Sequence, residues 1–353
     1  MSSVWGRNLT ITVFGQSHAE AIGVVVDGLP AGLRIDTEEL QAFMKRRAAG
    51  GAFATARVEA DTPEFVSGLV DGVTCGAPVT ALIRNTNVRS GDYSDLRDHP
   101  RPSHADYPAS VRFDGANDIR GGGQFSGRLT AALCVAGGLC MQFLKTKGIA
   151  VGAHIASIGN IQDGAFDPVN VTAADFVTDS FPVRDEQAKA AMQEIVTAAR
   201  NDGDSVGGTI ECAAVGVPTG IGDPLFDGLE NRISSIVFGI PAVKGIEFGN
   251  GFDAAELKGS ENNDAYYMEG DTVKTRTNRH GGILGGISTG MPLIFRVAIK
   301  PTPSIAKEQQ TVELSSKTDY TLAIKGRHDP CIVPRAVPCV EAALAIALAD
   351  YLV

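Results

Sequence analysis

Two strand-like apolar runs open the chain. LTITVFG and AIGVVVDG stand on either side of a polar turn, Gln16 to Glu20, and Leu29-Pro30-Ala31-Gly32 closes the second run. Apolar, β-branched runs bounded by glycine and proline predict strands, so Ser17 and His18 fall in the turn between them, where side chains are presented rather than packed. A helix is expected next. Asp36 and Glu39 have capping-box spacing, Leu40, Phe43 and Met44 share one helical face, and Lys45, Arg46 and Arg47 stand where cations offset the helix dipole. Residues 48–62 are small, polar and glycine-bearing, which predicts a mobile loop with Arg57 inside it.

The clearest helical signal is LTAALCVAGGLCMQFL, apolar almost all round, with Ser126 placed to cap its start and Lys145, Lys147 and Gly148 closing it. Such a helix belongs at the centre of a fold. Further helices are predicted from Asp185 to Asn201, stopped by Gly203, and from about Ala336, with Pro338 in the first turn. Between them GGTIECAAVGVPTGIGDP, AVKGIEFGNGF and GGILGGISTGMPLIFRVAIKP read as glycine-punctuated β structure, which makes the fold class mixed α and β (α+β). VVVDGLPAGL near residue 24 and ECAAVGVPTGI near residue 211 share a strand, a G-x-P-x-G turn and a following helical pattern. Two similar halves, meeting near residues 170–205, would produce that echo. With no low-complexity stretch or clear linker, residues 1–353 are read as one domain.

Composition then narrows the partners. A net charge of −10 at pH 7 denies the chain the long-range positive field that nucleic acid or an acidic membrane needs, so any anion site must be local. The chain has no run of about 18 uncharged apolar residues and no signal-peptide start, so a cytosolic, non-membrane protein is expected. Cys75, Cys134, Cys140, Cys212, Cys331 and Cys339 form no C-x-x-C pair and have no histidine at zinc-finger spacing; buried reduced thiols are the reading.

Arginines gather where helices end and loops begin: Arg46, Arg47, Arg57, Arg101, Arg112, Arg120, Arg128 and Arg327. One such arginine is most often a surface ion pair, but the set in an acidic protein fits phosphate and carboxylate recognition. Gly121, Gly122 and Gly123 precede Gln124, Phe125 and Ser126 at the start of the central helix, a place for a phosphate or an anionic ring system, or simply a tight turn. The segment is no Walker loop, and Gly249-Asn250-Gly251 is too poorly followed to be a dinucleotide fingerprint. No histidine pair has zinc-hydrolase spacing, so no metal is expected. His18 and His104 lie in like polar turns, S-H-A-E and S-H-A-D, suited to general acid or base roles. No cysteine stands in a catalytic setting.

Taken together, FGQSHAEAIGVVVDGLPAG, RPSHADY, DIRGGGQFSGRLTA, KPTPS and GRHDPCIVPRAVPCVEA resemble the signatures of the chorismate synthase family, in order, from Phe14 to the C-terminus. The resemblance implies a layered β-α-α-β sandwich of two related halves assembled as a homotetramer. It implies a carbon–oxygen lyase that removes phosphate and a ring hydrogen from 5-enolpyruvylshikimate 3-phosphate by anti-1,4-elimination. That step gives chorismate for aromatic amino-acid biosynthesis, the last of the shikimate pathway, and requires reduced FMN (FMNH2) without net redox change; NADPH enters only as a reductant of the flavin. By the resemblance, His18 protonates the departing phosphate, His104 holds or protonates the flavin near N1, and Asp329 acts with flavin N5 on the ring proton. Ser17, Arg46, Arg47, Arg57, Arg128 and Arg327 fall where the family binds substrate anions. Gln124, Phe125, Ser126, Ala242, Gly285, Lys300, Pro301, Thr302, Pro303 and Ser304, with Arg327, match its flavin contacts.

The chain departs from the family pattern at Gln16, Ala19, Ala48, Ala49, Phe53, Ser103 and Gln124. None removes a proposed catalytic side chain, but those in the 48–62 loop bear on its grip on substrate or NADPH. Two other readings compete: a redox flavoprotein, which lacks its nicotinamide fingerprint here, and a catalytically silent flavin-binding homologue, against which His18, His104 and Asp329 stand together.

Overall fold

The computed structural model describes residues 3–48, 60–86, 95–324 and 329–353; Arg57, Arg327 and most of the predicted 48–62 loop lie outside the described residues. Two five-stranded antiparallel sheets form the outer layers. The first runs, in spatial order, Val4–Gly6, Thr10–Gly15, Ala21–Asp27, Val79–Arg84, Glu64–Ser67. The second runs Val243–Phe248, Leu293–Ile299, Gly208–Val215, Ala150–Ile158, Ile161–Gln162. The helices are α1 (Thr37–Arg47), α2 (Asp106–Arg112), α3 (Thr130–Thr146), α4 (Glu186–Asn201), α5 (Leu229–Val237), α6 (Gly259–Asn262) and α7 (Val333–Leu352). Helix α3 lies on the first sheet with α1 beside it, α7 lies on the second with α5 beside it, and α3 packs on α7. The result is a β-α-α-β sandwich.

Local chemistry explains these elements. In Val79–Arg84 the side chains of Val79, Ala81 and Ile83 are buried and those between them are not, the period of a sheet with one face on the core. Ala150–Ile158 is buried along almost its whole length, because Phe166, Val171 and Phe176 cover its outer side. Asp36 caps α1 by accepting from the amides of Glu38 and Glu39, each at 2.9 Å. The capping box is only half made: Glu39 pairs with Lys145 (3.1 Å), and the Asp36 amide donates to Gln142 Oε1 (2.8 Å) on α3. A long-range partner has replaced the local one.

Gly127–Thr146 is the one helical stretch among the described residues long and apolar enough to cross a membrane, yet most of it is buried inside the protein. It is a core helix. Gly137 allows α3 to approach α7, since a Cβ there would collide with Ala342. Helix α7 begins at Val333, earlier than the sequence pattern implied, so Pro338 stands inside the helix rather than in its first turn. Pro334 in the first turn needs no amide partner, which moves the start back. Burial of nearly every α7 side chain outweighs the one backbone bond that Pro338 forgoes.

Candidate active site

The triple glycine ahead of α3 organises the site. Gly121, Gly122 and Gly123 all have positive φ (61°, 87° and 54°), a path closed to most side-chain-bearing residues. The bend carries the backbone past both histidines. A Cβ on Gly121 would lie 2.5 Å from His18 Nδ1 and 2.7 Å from Ser17 Oγ, and one on Gly122 would lie 3.2 Å from His104 Cε1 and Nε2. The Ser17 amide donates to Gly123 O (3.2 Å), which fixes the turn between the first two long strands against this loop. His18 is 7% exposed and Ser17 is 1% exposed, so both are lodged in the structure rather than displayed on it.

Asn85 ties that turn to the arginines. Its Nδ2 donates to Gln16 O (3.2 Å) and Ala19 O (2.9 Å), and its Oδ1 accepts from Arg128 Nε (3.0 Å). Only carbonyls of residues 16 and 19 are used, so the side-chain departures at those positions leave the tie intact. Arg128 also bonds one oxygen of Asp61, and Arg47 Nη1 bonds the other at 2.5 Å. Arg47 reaches Thr130 Oγ1 (3.0 Å) and Gly127 O (3.3 Å) as well. Asp61 is buried and has φ of +47°, an unfavourable backbone for a non-glycine residue. Two guanidiniums thus converge on one anionic group.

Arg335 extends the network. Its Nε donates to Arg47 O (3.0 Å) and its Nη1 to Asp329 Oδ2 (2.6 Å), which orients that carboxylate. Burial pushes Arg335 below the ordinary arginine range, and the nearby Asp329 opposes the shift. Arg46 turns the other way, into the helical layer, where it forms a two-pronged pair with Glu341.

On the far side of the glycine loop, His104 belongs to a second cluster. Its Nδ1 lies 2.6 Å from Asp106 Oδ1, while Arg101 grips Asp106 through Nε (2.7 Å) and Nη2 (2.8 Å) and reaches Ser304 Oγ (3.3 Å). Burial would raise the Asp106 carboxyl, but hydrogen bonds from Arg101 and His104 outweigh it and hold the group well below the usual carboxylate range. Lys300 bonds Ser103 O, and burial, then Lys244, push its ammonium below the ordinary lysine range. Ser103 has φ of +60°, which explains why a glycine suits this position. The Lys300 amide donates to Ala242 O (3.0 Å), with Ala242 itself at φ of +74°.

Residues expected from the sequence therefore fall into connected groups. His18, Ser17, Arg128, Arg47 and Asp329 form one chain of contacts; His104, Lys300, Ser304 and Ala242 form another; the glycine loop joins them. Gln124 and Phe125 are exposed beside it. Gly285 sits at positive φ in the turn between Ile283–Leu284 and Ile287–Ser288, where a Cβ would meet nothing within 4 Å. Asp61, Asn85, Asp106 and Arg335 were not singled out from sequence. The H-x-D spacing of His104 and Asp106 was the one available signal; the others are brought in by folding alone.

Two histidines and a serine held against one glycine loop, with arginines and carboxylates close by, are an arrangement chemically able to move protons on an anionic small molecule. The family model described as chorismate synthase matches residues 9–353. A chorismate synthase of Thermococcus gammatolerans is 47% identical over 98% of this chain and 96% of its own length. One of Lancefieldella parvula is 45% identical over 100% of this chain and 96% of its own. Among solved structures, a crystal structure of chorismate synthase superposes with a TM-score of 0.74 at 26% identity, covering 98% of this chain and 92% of that one. The chain belongs to the chorismate synthase family.

Proposed function

We propose that this site performs the family's reaction, elimination of phosphate from 5-enolpyruvylshikimate 3-phosphate to give chorismate, with His18, His104 and Asp329 as its acid–base groups. The reaction makes the chain a lyase of the shikimate pathway. The observation that carries the residue assignment is the placement of His18 and His104 against adjacent glycines of one loop, with the Arg47–Arg128 pair tied to the His18 turn through Asn85. Both histidines can then serve one bound molecule from two sides.

The residues suit a bound flavin and a polyanionic substrate. Ser17 Oγ and Thr302 Oγ1 are buried hydroxyls with no hydrogen-bond partner among the described residues. An unmade bond of this kind costs about 1–3 kcal/mol, which a ligand's polar atoms would recover. Arg47 and Arg128 would hold a substrate anion, Ser17 would donate beside it, and His18 would deliver the proton that lets phosphate leave. Asp329, held by Arg335, would take the ring proton. His104, Ser126, Ala242 and the Lys300–Ser304 segment would hold FMN, which in its reduced form supplies transient electron density when bound. NADPH would serve only to reduce the flavin.

We further read the chain as one cytosolic domain built of two related halves, and as a homotetramer; Phe226 and Phe252, 87% and 84% exposed, are large apolar side chains of the kind that contact between copies would cover. The test of function is anaerobic mixing with chemically reduced FMN and 5-enolpyruvylshikimate 3-phosphate. Phosphate release matched by chorismate absorbance, and absent with oxidised FMN, supports the reading. Flavin binding with neither product would favour a silent homologue.

A further inference from the structure

We propose that Asp106 is the positioning residue of His104: clamped by Arg101, it fixes a proton on Nδ1 and presents the Nε2 edge of the ring to the glycine loop. The geometry leaves little choice of tautomer. At 2.6 Å, Nδ1 and Asp106 Oδ1 cannot both offer lone pairs, so the nitrogen carries the hydrogen. Arg101 Nη2, 3.1 Å from the same nitrogen, could donate to it only in the other tautomer, but that donor already has Asp106 Oδ1 as acceptor at 2.8 Å, and the shorter Nδ1–Oδ1 contact decides. The carboxylate is itself immobile. Its Oδ2 accepts from the Arg101 amide (3.0 Å) and Nε (2.7 Å), and its Oδ1 accepts from Arg101 Nη2 (2.8 Å).

The Cε1–Nε2 edge that remains faces Gly122. Charged groups around the ring come from several elements: Arg101 and Asp106 nearby in sequence, Lys300 through Ser103 O with Lys244 beyond it, and, across the loop, His18 with Asp118. Asp106 is the one carboxylate among the described residues in direct contact with the imidazole. A histidine in so cationic a setting needs that anion to keep its orientation, as the buried aspartate of a catalytic triad orients its histidine.

The test reads the tautomer directly, from nitrogen-15 shifts of labelled histidine at alkaline pH, with His104 assigned by loss of its signals in His104→Asn. In the unaltered protein the proton should reside on Nδ1; finding it on Nε2 would overturn the proposal without any variant. In Asp106→Asn the amide oxygen should take the doubly donated Oδ2 position, leaving the NH2 toward Nδ1 and moving the proton to Nε2. Asp106→Glu should keep it on Nδ1. An unchanged tautomer in Asp106→Asn would also overturn the proposal. The consequence for turnover rests on the proposed role of His104: a loss of roughly 10²-fold or more in kcat with little change in KM is expected. If the tautomer inverts and turnover does not fall, the positioning role stands and the role of His104 in the reaction is what fails.

Discussion

Arg46 on α1 and Glu341 on α7 form a two-pronged ion pair in the helical layer, Nη1 to Oε2 at 2.6 Å and Nη2 to Oε1 at 2.9 Å. The Ala153 amide adds a third donor to Glu341 at 2.9 Å, so the pair links α1, α7 and the second sheet. Burial pushes the Glu341 carboxyl up and Arg46 pulls against it; three donors on two oxygens mark the ionised form. Breaking such a pair from one side strands a buried charge. Glu341→Gln should therefore lower unfolding free energy by about 3 kcal/mol in chemical denaturation. Because Arg46 is committed here, Arg46→Ala should cost stability more than substrate KM; a large KM rise with unaltered stability would return Arg46 to the substrate site.

Asp61 neutralises Arg47 and Arg128 together. Removing it in Asp61→Ala leaves two adjacent guanidiniums seeking an anion. The variant should be destabilised by about 3 kcal/mol, and inorganic phosphate should raise its melting temperature more than that of the parent. Equal phosphate effects would show that these arginines are not an anion seat.

His18→Ala and His104→Ala should each lower turnover roughly 10²- to 10⁴-fold while leaving thermal unfolding little changed. Asp329→Asn should bind flavin and substrate yet slow the elimination. Near-normal turnover in any of the three removes that residue from the chemistry.

Gly121→Ala probes the loop. Its Cβ would strike the His18 ring from a backbone at φ of +61°. Strain of about 1–3 kcal/mol should appear in unfolding, with a fall in turnover as His18 is displaced. Gly115→Ala, also at positive φ but open in space, should cost stability without comparable loss of activity.

His154 is fully enclosed, its Nδ1 2.9 Å from Asp163 and its Nε2 2.9 Å from Glu211, so it pins the 163–185 segment to the second sheet as an imidazolium. Burial lowers its pKa, but bonds to Asp163 and Glu211 outweigh burial and raise it. A pKa raised in the folded state gives stability that is fully present below the unfolded value, about 6.5, and is lost as pH rises through the folded one. Urea midpoints should fall on the alkaline side of that range, and His154→Gln should flatten the dependence. The same slope in both proteins would assign it elsewhere.

The sequence by itself determined the elements whose signals are local: the strands flanking Ser17 and His18, the Asp36 cap, the apolar α3 and the glycine run before it. Side-chain periodicity and capping act within a few residues, and so can be read along the chain. It also carried family membership, because long ordered motifs survive in the text. Tertiary structure decided which arginine serves which partner. Arg46 and Arg47 are neighbours in sequence, yet a helix points consecutive side chains about 100° apart, sending one to Glu341 and the other to Asp61. Asp61, Asn85 and Arg335 acquired their places only when distant segments met, since ion pairing depends on distance and burial rather than on order along the chain.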